Sequence, residues 1–288
     1  MKNNIILILI ISTGLILSCK KDKNVYTEDI TLNVAENPVD SLEIGQVTAT
    51  TEKSYITYTL LAESIEGAIT VDSKTGKLFV KDPTIFNYEY NAIITAKVEC
   101  SNGKNEAVSH ITINVTDVYE TPAVIGEFKE GGVVFWVDPI DNSMGMVCSS
   151  YDIATSAGWG CWDIYNQTPE LEGADGTAIG TGYQNTLDIV SGCSTSGIAA
   201  DLCNNLTLNG YNDWALPSID EIQAINTTKS AINSTSVSYG GVAIDDNTYY
   251  WTSTEYNAQR AYNFYFLIGQ ADTSLKVNGN NVRAVRSF

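Results

Sequence analysis

Between Ile30 and Val115 the chain is written in short strand-like runs, and no long helical period competes with them. Ile30-Thr31-Leu32-Asn33-Val34, Ile69-Thr70-Val71, Leu78-Phe79-Val80 and Ser109-His110-Ile111-Thr112-Ile113-Asn114-Val115 are such runs, the last a strict alternation that puts His110 on the polar face. Thr75-Gly76 and Asn102-Gly103 fall between them as hairpin turns. Short strands punctuated this way predict a β-sandwich over residues 25–120.

Pro122 marks a change to a sequence rich in Gly, Ser, Asn and aromatic residues, and residues 121–288 are expected to form a second domain. Gly131-Gly132 feeds the apolar run Val133 to Val137, which Gly145-Met146-Val147-Cys148 can pair with across an Asp141-Asn142 turn. Two helices are predicted. The first is carried by Ile198, Leu202 and Leu206, with Ser194 to Ser196 offering caps; the second opens on the capping box Ser218-Ile219-Asp220-Glu221, with Ile219, Ile222 and Ile225 as its inner stripe. From Tyr249 onward the pattern is strand: Tyr249 to Ser253, Tyr262 to Ile268, Asn281 to Phe288. Strands, two helices and strands again imply an α+β domain, so the fold class is mainly β with an α+β C-terminal domain.

Ahead of both domains stands a thirteen-residue run of mostly Ile and Leu, Ile5 to Leu17, shorter than the roughly 20 residues a spanning helix needs. It ends in Ile16-Leu17-Ser18-Cys19, which resembles a bacterial lipobox. The expectation is a signal peptide over 1–18, lipidation of Cys19 and a solvated tether over 19–24, hence a lipoprotein of the Gram-negative outer membrane, facing either the periplasm or the exterior. Its partner there is the membrane itself, through the anchor.

Six cysteines less Cys19 leave Cys100 alone in the first half and Cys148, Cys161, Cys193 and Cys203 in the second, enough for two disulfides. Cys100 is expected to be a buried free thiol. No CxxC spacing and a single histidine leave no zinc ribbon, redox pair or histidine-rich metal site. The formal charge of −18 excludes nucleic acid as a partner.

Val34-Ala35-Glu36-Asn37, Val71-Asp72-Ser73-Lys74-Thr75-Gly76-Lys77-Leu78, Asn87-Tyr88-Glu89 and Ile113-Asn114-Val115-Thr116-Asp117-Val118-Tyr119-Glu120 resemble, in order, the landmarks of a cadherin repeat. That resemblance implies calcium held by Glu36, Glu89, Asp117 and Glu120, whose oxygens suit a hard cation. The sequence departs from the pattern at Asn87, where an acid is common, and at Val98-Glu99-Cys100, and no second repeat follows. The other reading is a calcium-independent spacer with solvated acids.

In the second domain, Gly-Gly-Val-Val-Phe at 131–135, Ile179-Gly180-Thr181-Gly182 with Asn185-Thr186, Ala199-Ala200 with Cys203, Gly210 to Ser218 with Glu221, Tyr250-Trp251-Thr252-Ser253 and Val282 to Arg286 resemble the Lcl C-terminal domain family. The family is named for the terminal domain of a collagen-like bacterial adhesin. The resemblance implies a C-type-lectin-like fold and glycan attachment. Residues 121–288 carry 18 acidic and 6 basic residues, a net −12, which disfavours sulfated glycans. Neutral sugars need aromatic platforms and short polar groups. The domain offers Trp159, Trp162, Tyr249, Trp251, Tyr262 and Tyr265, with Trp136 and Trp214 assigned to the core. Trp159, Trp162, Asn212, Asp213 and Trp251 are the ligand-binding candidates. Asn212-Asp213 also reads as a plain tight turn, and Arg283 and Arg286 are expected to pair with acids.

Formylglycine-generating enzymes share the implied fold, but their chemistry needs a cysteine pair near the C-terminus, and no cysteine follows Cys203. The sequence therefore reads as a non-enzyme: a lipid-anchored envelope protein with a sandwich stalk and a head that binds a glycan or a surface protein. A structural or assembly component of the envelope is the alternative.

Overall fold

The computed structural model describes residues 24–52, 55–161 and 170–288, which separate into two units between Val118 and Tyr119. Cys19, the signal peptide and Trp162 lie outside the described residues. No helix among the described residues is long and apolar enough to cross a membrane.

In the first unit the strands are β1 (Val25–Thr27), β2 (Ile30–Ala35), β3 (Glu43–Gln46), β4 (Ala49–Thr51), β5 (Thr57–Glu63), β6 (Ile69–Val71) and β7 (Lys77–Val80). A short helix α1 (Tyr88–Asn91) then precedes β8 (Ile93–Ser101) and β9 (Glu106–Thr116). One sheet has the order β2-β9-β8-β5, with β2 parallel to β9; a second has the order β3-β7-β6; β1 pairs with β4. Alternation sets the faces. Ile94, Ala96, Val98 and Cys100 of β8 and Ile111, Ile113 and Val115 of β9 point into one core shared with Ile69, Leu78, Val80 and Phe86, while His110 and its neighbours Thr112 and Asn114 stay outside. The β8–β9 turn is closed by Asn102, whose Oδ1 accepts the Lys104 and Asn105 amides and whose Nδ2 donates to Thr51, while Gly103 takes a positive φ of 79°. Cys100 is buried and free, as its position implied.

The second unit contains β10 (Phe128–Lys129), β11 (Gly132–Val137), β12 (Gly145–Cys148), β13 (Ala154–Ala157), α2 (Gly182–Gly192), α3 (Ala199–Asn204), α4 (Ile219–Ser238), β14 (Tyr249–Asn257), β15 (Arg260–Tyr265), β16 (Gln270–Leu275), β17 (Asn280–Val282) and β18 (Val285–Ser287). Its sheets have the orders β10-β11-β12-β18 and β13-β17-β14-β15-β16. Strand β14 is buried on both faces. Trp251 enters a core with Trp159, Trp214, Ile189 and Cys203, while its neighbour Tyr250 enters another with Phe135, Ile222, Ile225 and Phe264.

The capping box holds as read: Ser218 Oγ accepts the Glu221 amide and Glu221 accepts the Ser218 amide at 2.8 Å. The other predicted helix is shorter than its apolar spacing implied. It is the six-residue α3, with Ile198 rather than a serine at its N-cap and no side-chain cap. Helix α2 was not predicted. Its buried face includes Asn185 and Thr186 beside Ile189, so the apolar period that marks a helix is missing.

Of the four candidate cysteines, Cys161 and Cys193 are bridged, with Cα atoms 5.4 Å apart. Cys148 and Cys203 are not. They point into the two separate cores of the unit, and burial pushes the Cys148 thiol up to about 11 and that of Cys203 higher still.

A candidate ligand cleft around Asp213 and Tyr183

Extended residues Trp214 to Pro217 run into α4, and Ala215 is held against β18 by a pair of backbone bonds to Val285 of 2.8 and 2.9 Å. That pairing carries Asp213 to Arg286. Arg286 Nε and Nη2 donate to the two Asp213 oxygens at 2.7 and 2.8 Å, and Nη1 donates to the Glu130 carbonyl at 2.9 Å. The guanidinium lies 4.0 Å over the Tyr211 ring, whose hydroxyl donates to Glu130 at 2.5 Å. Glu130 and Gly131 both have positive φ, and a Cβ at Gly131 would come within 2.6 Å of the Tyr211 ring. The glycine read from the sequence as a turn signal is thus what lets Tyr211 back the arginine.

Asp213, Ala215, Val285 and Arg286 form one wall of a cleft of about 410 Å³, completed by Met146, Gly180, Tyr183 and Ser287. Tyr183, on the first turn of α2, is half-exposed. The start of α2 is fixed by Glu221, which is fully buried and accepts the Gly180 and Gly182 amides at 2.8 and 3.2 Å as well as that of Ser218. A Cβ at Gly182 would collide with Glu221, so the two residues are fitted to each other. Burial raises the Glu221 pKa despite the three amides, whereas the hydrogen bonds from Arg286 lower that of Asp213. At neutral pH the cleft wall therefore carries an ionised, oriented carboxylate, its side chain 45% exposed, beside an aromatic ring.

Of the sequence candidates, Asp213 lies in the cleft and Asn212 is exposed next to it in sequence. Trp159 and Trp251 are not platforms. Both are fully buried, with indole N–H groups donating at 2.7 Å to the carbonyls of Thr252 and Ala157, and the Lys276 ammonium lies 4.8 Å above the Trp159 ring. Trp214 is buried as expected, while Trp136 is only partly so. Tyr249 and Tyr265 stack on each other at 4.7 Å. Arg283 pairs with Asp152 at 2.7 Å and Arg286 with Asp213, the acid partners expected of them. Tyr183 is the cleft residue that sequence reasoning missed; an unread helix left its position on a surface undefined.

In the first unit, Glu36, Glu89 and Asp117 bring one carboxylate oxygen each within 4.8 Å of one another. Glu36 is buried and fixed by the Tyr88 and Val118 amides at 2.8 and 2.6 Å; Glu89 and Asp117 are exposed. Three carboxylates from separate segments fit a hard cation, with Glu36 needing no rearrangement to present its remaining lone pairs. Asn87 spends its Oδ1 capping α1 through the Tyr90 amide. Glu120 belongs to the second unit, where it accepts the Ser143 hydroxyl at 2.7 Å.

Residues 153–286 match the model of the Lcl C-terminal domain. The match takes in Gly180, Tyr183, Asp213 and Arg286, so most of the cleft lining lies within the matched span, with Met146 and Ser287 just outside it. No curated protein matches the chain. Among solved structures, it is similar to the human desmocollin-1 ectodomain, with 20% identity over 35% of this chain and 21% of that one, at a TM-score of 0.32. It is also similar to the extracellular cadherin domains 1–5 of protocadherin gamma B2, with 18% identity over 34% of this chain and 21% of that one, at a TM-score of 0.31. The chain thus spans about a fifth of the length of either.

Proposed function

We propose that this chain is a lipid-anchored protein of a Gram-negative outer membrane that binds an external ligand, a glycan or a surface protein, through its Lcl C-terminal domain, without catalysis. The observation that carries the reading is the cleft: it combines a carboxylate locked in place by Arg286 with a half-exposed tyrosine, and most of its lining falls within the matched residues. A concave site with a few convergent polar groups is the usual form of a binding site. The buried free thiols Cys148 and Cys203 are pushed away from the thiolate form a nucleophile needs, which supports binding over chemistry. In this reading the first unit is the stalk, and Glu36, Glu89 and Asp117 hold calcium, which when bound would neutralise their clustered charge.

The test uses bacteria displaying the full chain on immobilised glycans and matrix proteins. Adhesion that disappears with Tyr183→Ala supports the reading. Labelled palmitate incorporated by the wild type and not by Cys19→Ala supports the anchor. Display without adhesion to any surface favours the structural component instead.

A further inference from the structure

We infer that the cleft takes a neutral, hydroxyl-rich ring, a saccharide, which donates hydroxyl protons to Asp213 and lays an apolar face on Tyr183. The inference rests on the ligand-binding reading above and narrows it. Each Asp213 oxygen accepts one N–H of Arg286, and a carboxylate oxygen has two lone pairs, so acceptor positions remain on a side chain that is 45% exposed. The carboxylate cannot turn away, because Arg286 is itself fixed by the Glu130 carbonyl and the Tyr211 ring. The wall therefore offers oriented acceptors, which match hydroxyl donors.

Charge selects against the other ligand classes. Arg286 has its charge matched by Asp213 and is only 8% exposed, so it offers an anion little, and a sulfate or carboxylate would meet the field of a chain of net −18. A cation would find Asp213 already neutralised by its bidentate partner. Size selects against a protein. About 410 Å³ is at the small-ligand scale, whereas a stable protein interface covers about 800 Å² on each partner. Half-exposed Tyr183 supplies the one aromatic face in the lining, and the exposed Ser287 a second hydroxyl partner.

Saturation-transfer NMR on the full chain tests this with three probes: methyl hexopyranosides, a sulfated disaccharide and a lysine-rich tripeptide. Saturation of the hexopyranoside ring protons, with binding about tenfold weaker in Tyr183→Ala, is the expected result. Tyr183→Ala changes a surface side chain and keeps the fold. Asp213→Asn leaves Arg286 buried without its counter-charge, so its effect is read only after amide-exchange protection shows the unit folded. Transfer to the sulfated or cationic probe with none to the hexopyranosides overturns the inference; if Tyr183→Ala abolishes that transfer, the cleft remains the ligand site. Hexopyranoside binding unchanged in Tyr183→Ala overturns the cleft itself. Silence of all three probes, while adhesion by the displayed chain still depends on Tyr183, overturns the saccharide alone.

Discussion

The two units bury their interiors by different means. In the first, β8 and β9 send alternate apolar residues into a single core, and the exposed alternates are polar apart from Ile93 and Val108. In the second, β14 is covered on both faces, and the interior holds ion pairs: Arg283 with Asp152, Lys276 with Glu255, and the carboxylate of Glu221 among amides. A core of the first kind loses stability smoothly as methylenes are removed, whereas one of the second kind fails when a single polar partner is taken away.

Amide exchange read separately in peptides of each unit sharpens that contrast. Arg283→Ala strips Asp152 of its partner beside the Tyr250 hydroxyl and the Asn281 amide, and should destabilise the second unit by about 3–5 kcal/mol while leaving the first unchanged. Next comes the bridge. Cys161→Ser with Cys193→Ser opens a loop of 32-residue separation, worth roughly 3–4 kcal/mol, and reductant should act on the second unit alone. In the sandwich, Ile113→Val removes one buried methylene and should cost only about 0.5–1.5 kcal/mol. Equal losses for Arg283→Ala and Ile113→Val would break the comparison.

The smallest effect is in pH, and its sign differs between the units. In the first, Asp72 and Asp82 are lowered by hydrogen bonds from Thr75 and Thr84, and Asp29 by those from His110. Their contribution is present above the ordinary value of 3.8 and is lost as pH falls through their lowered values. In the second, Glu221 and Glu255 are raised by burial, so their contribution is present below 4.5 and is lost as pH rises through their raised values. Asp213 runs with the first group. Acidification from neutral pH should therefore steady the second unit before it weakens the first, and Glu221→Gln should flatten that response.

The same contrast decides what could be read in advance. Apolar alternation made β2, β6, β7 and β9 visible, the turn residues Asn102-Gly103 marked the hairpin ahead of β9, and Ser218 with Glu221 announced α4 because a capping box is local. Asp213 was legible beside its tight turn. Helix α2 was not, because Asn185 turns inward to bond the Gly176 carbonyl and Ser253, and Thr186 to receive the Leu216 amide. With α2 unread, Tyr183 had no place. Trp159, between Gly158 and Gly160, is a ligand-binding candidate on sequence alone. It is a core residue, because the indole N–H finds the Thr252 carbonyl ninety-three residues away, a pairing no local pattern encodes.

The measurement that bears most directly on the central claim is an array of neutral and sulfated glycans probed with the purified chain, wild type and Tyr183→Ala side by side. The account predicts a discrete set of hits for the wild type that the variant loses while keeping wild-type amide protection. Hits retained in full by the variant, or confined to sulfated glycans, would contradict it.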